Sequence, residues 1–254
     1  MDRIDDYRKL TIDIVGWLCK YINDNKINSL VVGVSGGIDS AVTSTLAAKT
    51  GVPVYAVGMP LSQKIEQETL SDAHLYWLDK SYDNVKVLKT DLSETFAKFI
   101  KGLSDDMDME YIGNPLAKAN SKARLRMMTL YHIAQNVGGI VVGTGNKVED
   151  YGIGFFTKYG DGGVDIAPIA DLYKTEVREL GGFIGVIPEI LDAQPTDGLW
   201  EDDRTDEDQI GATYAQLEEA METGTGPAVD ILYRFNKQNR HKMEPIPTFK
   251  LGES

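Results

Sequence analysis

The chain has 254 residues, 42% of them apolar and 26% charged, the proportions of a soluble globular protein with enough apolar side chains for one sizeable core. Its formal net charge of −13 opposes general binding to nucleic acid or to an anionic membrane surface, so any nucleotide site must be a local basic island. Cys19 is the single cysteine, which excludes an internal disulfide and a cysteine-based metal site. His74, His132 and His241 lack metal-ligand spacing, so zinc is not expected.

The first predicted element is a helix over about Asp6 to Asn25. Its apolar piece from Ile12 to Cys19 is too short and too interrupted for a signal or membrane segment, and the start Met1-Asp2-Arg3-Ile4-Asp5-Asp6 is acidic, so a cytoplasmic location is expected. A strand at Leu30 to Val34 follows, then Ser35-Gly36-Gly37-Ile38-Asp39-Ser40, then helical periodicity over Asp39 to Thr50. Gly36 and Gly37 let backbone approach an anion, Ser35 and Ser40 add hydroxyl donors, and the helix start aims its amides and positive dipole end at the same place. Such a turn is suited to phosphates, although glycine-rich corners also serve packing alone. Asp39 repels a phosphate directly but suits a Mg²⁺ that bridges to phosphate oxygens.

Further strands are predicted at Val52 to Gly58, Val85 to Thr90 and Ile140 to Gly143, alternating with helices at Lys64 to Leu78 and Ser93 to Ile100. This alternation argues an α/β fold with a mostly parallel sheet and helices on both faces, whose ligands bind at the C-terminal ends of the strands. A long helix is predicted from Pro115 to Asn136. Leu116, Ala119, Ala123, Met127, Leu130, Tyr131 and Ala134 form its apolar stripe, and Lys118, Lys122, Arg124 and Arg126 its basic face. That basic face reads as a solvated surface or as a source of one phosphate-binding arginine, and the apolar stripe suits core or a subunit interface.

Beyond the fourth strand, Gly143-Thr144-Gly145-Asn146-Lys147-Val148-Glu149-Asp150 places Glu149 where it either faces Asp39 across the crevice or decorates a helix start. Gly154-Phe155-Phe156-Thr157-Lys158-Tyr159-Gly160-Asp161-Gly162-Gly163-Val164-Asp165 interleaves aromatics, a lysine and acids with glycines that permit tight turns around a ligand. Leu191 to Gln209, rich in Asp, Pro and Gly, reads as a long loop and a candidate lid.

The Ser35 to Ser40 motif resembles the pyrophosphate loop, S-G-G-x-D-S, of the N-type ATP pyrophosphatases, which share a Rossmann-like adenine-nucleotide α-hydrolase fold. The run from Gly154 to Asp165, with Pro168, Leu172-Tyr173-Lys174, Gln194-Pro195-Thr196 and His241-Lys242, narrows the resemblance to the NH₃-dependent NAD⁺ synthetase family. The resemblance implies a single domain over 1–254 without a glutaminase domain, acting as a homodimer. It also implies amidation of deamido-NAD⁺ (nicotinic acid adenine dinucleotide) by ammonia through an acyl adenylate, with ATP as co-substrate and Mg²⁺ as cofactor.

By the same resemblance, Gly33, Val34, Ser35, Gly36, Gly37, Ile38, Asp39 and Ser40 would hold the ATP phosphates, with Thr144, Lys174 and Thr196 also contacting ATP. Asp39 and Glu149 would bind Mg²⁺; Arg124, Lys158, Asp165, His241 and Lys242 would contact deamido-NAD⁺. Lys174 would offset charge on the departing pyrophosphate, and Asp165 or Asp161 would accept a proton from ammonium or attract it. Gly145-Asn146-Lys147 departs from the family pattern. Two alternatives stand beside this reading: another ATP pyrophosphatase acting on a different acceptor, and a nucleotide-sensing module that binds ATP without turnover.

Overall fold

Four short apolar runs form the sheet because β-branched side chains buried on both faces suit parallel strands. In the computed structural model, which describes residues 4–62, 65–194 and 205–251, helix α1 (Tyr7–Asn25) leads into β1 (Ser29–Gly33), α2 (Ile38–Ala48) and β2 (Val54–Gly58). Helix α3 (Ile65–Ser81), β3 (Val85–Lys89), α4 (Ser93–Asp106), the single turn α5 (Met109–Ile112), α6 (Pro115–Val137) and β4 (Gly139–Val141) complete the sheet region. After a π-helical turn at Lys147–Ile153 come α7 (Lys174–Ile184), α8 (Pro188–Leu191), α9 (Asp206–Ile210), α10 (Tyr214–Thr223) and α11 (Val229–Met243).

The strand order is β3-β2-β1-β4, all parallel, with Leu30 paired to Val54 on one side and to Ile140 on the other. An isolated parallel bridge, Val142 to Ile166, extends the sheet past β4. The chain leaves β1 toward β2 and returns to β1's other flank through β4, so the order reverses between β1 and β4. A crevice opens outside the carboxyl ends of such a pair.

Alternation along the strands divides the core between two faces. Leu30 and Val32 pack with Leu18, Leu46, Leu78 and Leu180 from α1, α2, α3 and α7, whereas Val31, Val57 and Val141 pack with Ala134 of α6 and Phe96 of α4. A third cluster joins the π-helical turn to α9, α10 and α11 through Val148, Ile153, Ile210 and Leu217. This last layer forms one wall of the crevice.

All four predicted strands are present within two residues of their expected ends. Helix α4 runs six residues beyond the expected Ile100, because Phe96 and Phe99 continue an apolar face to Leu103. Helix α6 keeps the predicted span, with Asn114 accepting the amides of Leu116 and Ala117 at its start and Gly138 in a left-handed conformation closing it. Leu116 stands exposed rather than in the core stripe. The expected loop over Leu191 to Gln209 is shorter than predicted: Leu191 ends α8, and Thr205 starts α9 by a reciprocal capping box with Asp208. Residues 195–204, including Pro195, Thr196 and Trp200, lie outside the described residues.

Candidate functional site

The loop after β1 is organised before any ligand arrives. Ser40 Oγ accepts the Ser35 amide at 3.1 Å and donates to the Gly37 carbonyl at 2.9 Å, while Ser35 Oγ accepts the Gly37 amide at 3.2 Å. Gly36 sits at φ +90°, and a Cβ there would stand 2.8 Å from both the Gln67 carbonyl oxygen and the Ser71 amide nitrogen of α3. Glycine is therefore required by both conformation and space. Helix α2 starts from Gly37 without a side-chain cap, so its leading amides are presented toward the crevice, as an anion site needs.

That crevice has a volume of about 300 Å³ and is lined by the whole of Gly33 to Ser40 together with Thr144, Glu149 and Lys174. Lys174, the first residue of α7, places its ammonium 2.5 Å from Asp39 Oδ2 and 2.8 Å from Glu149 Oε1. Their side chains are only 11–16% exposed, so the attractions are weakly screened. Asn146 caps the π-helical turn by accepting the amides of Val148 and Glu149, and its side-chain nitrogen reaches toward Asp39 Oδ1 at 3.5 Å. Asn146 thus has a structural role in the turn that carries Glu149. Gly145 must lack a Cβ because the Asp150 carboxyl fills that space.

Burial shifts these groups against and with their neighbours. Desolvation and the adjacent Glu149 carboxylate push Asp39 up to about 6, against the pull of the Lys174 ammonium. Desolvation would raise Glu149, but the Lys174 ammonium and the Tyr214 hydroxyl outweigh it and hold that carboxyl below its usual range. Desolvation likewise works against charge on Lys174; the two carboxylates prevail and keep it an ammonium. Desolvation, with Glu149, Asp161 and Asp39 nearby, pushes Asp150 up to about 8. Asp39 and Glu149 thus converge on one position, that of the Lys174 ammonium. Among the described residues no third metal-binding acid, histidine or cysteine joins a cluster there.

The residues singled out for the second substrate form a separate group on the crevice flank. The Arg124 guanidinium donates to the Lys158 carbonyl at 3.2 and 3.3 Å, Lys158 donates to the His241 carbonyl at 2.8 Å, and Lys242 donates to the Phe156 carbonyl at 2.8 Å. The glycine-rich loop is thereby strapped between α6 and α11. Asp165 accepts from the Val141 amide at 2.7 Å and the Tyr131 hydroxyl at 3.1 Å, tying α6 to β4, and it does not line the crevice. Asp161 lines the crevice and accepts the Thr157 amide at 3.0 Å.

Of the basic-face arginines on α6, it is Arg126 that lines the crevice. Other lining residues were not predicted from sequence: Arg178 from α7, Asp150 and Asp206 all face the crevice, and Tyr214 donates to Glu149 Oε1 at 2.7 Å. The i, i+2 offset of Arg126 from Arg124 was the available signal for Arg126, since only one of the two can point under the sheet edge. Nothing local marks Tyr214.

A parallel α/β sheet with a turn after β1 suited to an anion, and a buried lysine between two carboxylates beside it, is the arrangement of a nucleotide-using α/β enzyme. The NAD synthase family model matches residues 10–246, and the chain belongs to that family. It is 37% identical to the NH₃-dependent NAD⁺ synthetase of Carboxydothermus hydrogenoformans over 93% of this chain and 95% of that protein. Among solved structures it resembles the NMN synthetase of Francisella tularensis, at a TM-score of 0.86, 32% identity, and coverage of 98% and 100% of the two chains. It also resembles the NAD⁺ synthetase of Burkholderia pseudomallei, at a TM-score of 0.74, 26% identity, and coverage of 94% and 90%.

Proposed function

We propose that this crevice amidates the nicotinate carboxyl of deamido-NAD⁺ with ammonia, using ATP and giving NAD⁺, AMP and diphosphate, the closing step of NAD⁺ synthesis. The chain is an acid–ammonia ligase of the NAD synthase family. The observation that carries the assignment of roles is the Lys174 ammonium, held between Asp39 and Glu149 at the mouth of the Ser35 to Ser40 loop.

A carboxylate is a poor electrophile. Its oxygen attacks the α-phosphorus of ATP, the bond from that phosphorus to the bridging oxygen breaks, and diphosphate leaves. Ammonia nitrogen then attacks the acyl carbon, the bond to AMP breaks, and the nitrogen sheds a proton. The uncapped amides at the start of α2 hold phosphate oxygens, and Lys174 meets the negative charge that builds on the leaving diphosphate. Thr144 lies on the same wall, and Thr196, outside the described residues, is proposed to contact ATP on the strength of the family resemblance. Arg124, Lys158, Asp165, His241 and Lys242 serve the nicotinate nucleotide, with Asp165 positioning the flank through Tyr131 and β4.

Mg²⁺ is the cation proposed for Asp39 and Glu149. Two convergent carboxylates, with no third protein ligand among the described residues, suit an ion that completes its shell with phosphate oxygens and water. When bound, it neutralises charge on the phosphates.

We further propose one domain over 1–254, a cytoplasmic enzyme and a homodimer. No helix among the described residues is long and apolar enough to cross a membrane. The exposed Met109, Tyr111, Leu116 and Met128 of α5 and α6 support a subunit interface there. Light scattering on purified protein tests the dimer: a monomer mass at micromolar concentration removes it.

The likeness to an NMN synthetase favours a second reading of the acceptor, the mononucleotide of nicotinic acid in place of the dinucleotide. The reacting carboxyl and the chemistry are unchanged; only the adenylyl half is missing. Purified enzyme with ATP, Mg²⁺ and ammonium, offered each acceptor separately, distinguishes them by kcat/KM. Faster amidation of the dinucleotide supports the first reading, faster amidation of the mononucleotide replaces it with the second, and AMP formation with neither rejects both. Glutamine in place of ammonium is expected to support little product.

A further inference from the structure

Helix α10 reaches the reaction centre at two points one turn apart. Thr213 caps its start by accepting the Gln216 amide, which places Tyr214 at the first helical position with its ring buried. The Tyr214 hydroxyl donates to Glu149 Oε1 at 2.7 Å, and its ring lies 5.0 Å from the Lys174 ammonium. One turn on, the buried Glu218 accepts the backbone amide and the hydroxyl of Thr175 at 3.0 and 2.7 Å, at the first turn of α7. Lys174 and Glu149, from different segments, are thus gripped by one helix.

Glu149 needs such a hold. It sits in a π-helical turn, a conformation with weaker internal hydrogen bonding than an α-helix, flanked by Gly152 and by Gly154 in a left-handed conformation. Its Oε1 already accepts Lys174, and a second donor at the same oxygen fixes the plane of the carboxylate. Asn146 fixes the backbone of this turn; Tyr214 fixes the side chain.

We propose that Tyr214 is a positioning residue for the cation and diphosphate site, holding the Glu149 carboxylate and the Lys174 ammonium in register, with Glu218 anchoring the α7 start that carries Lys174. The inference rests on the assignment of Asp39 and Glu149 to Mg²⁺. Tyr214→Phe keeps the ring over Lys174 and removes only the hydroxyl.

Calorimetric titration of Mg²⁺ into folded enzyme saturated with a non-hydrolysable ATP analogue reads the site without turnover. Tyr214→Phe is expected to weaken Mg²⁺ binding about tenfold, the scale of one hydrogen bond to a charged group. It is also expected to lower kcat while leaving KM for the nicotinate substrate unchanged. Wild-type Mg²⁺ affinity in Tyr214→Phe, with affinity lost in Asp39→Asn, overturns the positioning role alone. Wild-type affinity in Asp39→Asn as well overturns the cation assignment and this inference with it. Should Tyr214→Phe fail to fold, Thr175→Val loosens the same clamp from the α7 side. A lower kcat with unchanged KM supports the proposal there, and unchanged kcat overturns it.

Discussion

The Lys174 ammonium stands 2.5 Å from the Asp39 carboxylate although 135 residues separate them in the chain. Each partner opens a helix, Asp39 in the first turn of α2 and Lys174 at the start of α7, and these helices pack against one another through Val42, Leu46, Val177 and Leu180. The apolar contact between α2 and α7 therefore sets the distance between the two charges.

Replacing Lys174 with Met, which keeps the length of the stem without the charge, is expected to lower NAD⁺ formation at least ~100-fold, as removal of one transition-state donor does elsewhere. Two buried carboxylates are left facing each other, so the variant is also expected to lose about 3–5 kcal/mol of stability without ligand. Product chromatography and urea denaturation read the two effects. Near wild-type turnover would remove Lys174 from the reaction.

The loop glycines are expected to differ. Gly36→Ala places a Cβ against two backbone atoms of α3 at a positive φ, whereas Gly37 has φ −86° and meets only Ser35 Oγ at 3.4 Å. Gly36→Ala is expected to cost more than ~1 kcal/mol, and Gly37→Ala to melt close to wild type. Equal melting temperatures for the two variants would contradict the tight approach of α3.

His74 is fully buried, stacks on Trp77 and shares a hydrogen bond with Ser44 at 3.0 Å. Desolvation depresses its folded pKa from 6.5 to about 4, so between those values the unfolded chain binds the proton that the folded one refuses. Stability from this group is present above pH 6.5 and is lost as pH falls toward 4, up to about 3 kcal/mol. The stability difference between wild type and His74→Gln is expected to shift by that amount, against the wild type, between pH 7.5 and 4.5. A pH-independent difference would mean that His74 titrates normally.

Asp150 titrates with the opposite sense. Its folded pKa is raised from 3.8 to about 8 by desolvation and by Glu149, Asp161 and Asp39, so the native state favours the protonated form and loses stability as pH rises through that window. Asp150→Asn, neutral and of the same shape, is expected to stabilise the ligand-free enzyme at pH 8 by on the order of 1–3 kcal/mol, with the gain fading toward pH 4. Urea denaturation at the two pH values checks this. A larger gain at pH 4 than at pH 8 would reverse the assigned direction.

The strands and the Ser35 to Ser40 turn were legible in the sequence because each is specified by adjacent residues: a run of β-branched side chains, two glycines, and a helix that begins at once. Glu149 and Lys174 were legible through family resemblance; the approach of Glu149 to Asp39 was an expectation, whereas the Lys174 ammonium seated between the two carboxylates emerged only from the fold. Asp165 falls within a glycine-rich run that reads as ligand-binding; that its carboxylate is also engaged by Tyr131 and Val141 was not legible, because those partners are supplied by α6 and β4. The end of the expected loop at 205 was hidden for a local reason, since the Thr205 and Asp208 box is short and surrounded by other acids.

What the sequence by itself determined is the parallel α/β class, the glycine-rich turn after β1 and the family, all encoded in the local order of residue types along short stretches. Only the tertiary structure decided that Arg126 and Arg178 face the crevice, that Asn146 caps the turn carrying Glu149, and that Tyr214 and Glu218 grip the site from a third layer. Those relations depend on how α6, α7 and α10 pack on the sheet. Side chains distant in sequence become neighbours through the burial of apolar faces, which carries no local signature at the polar residue itself.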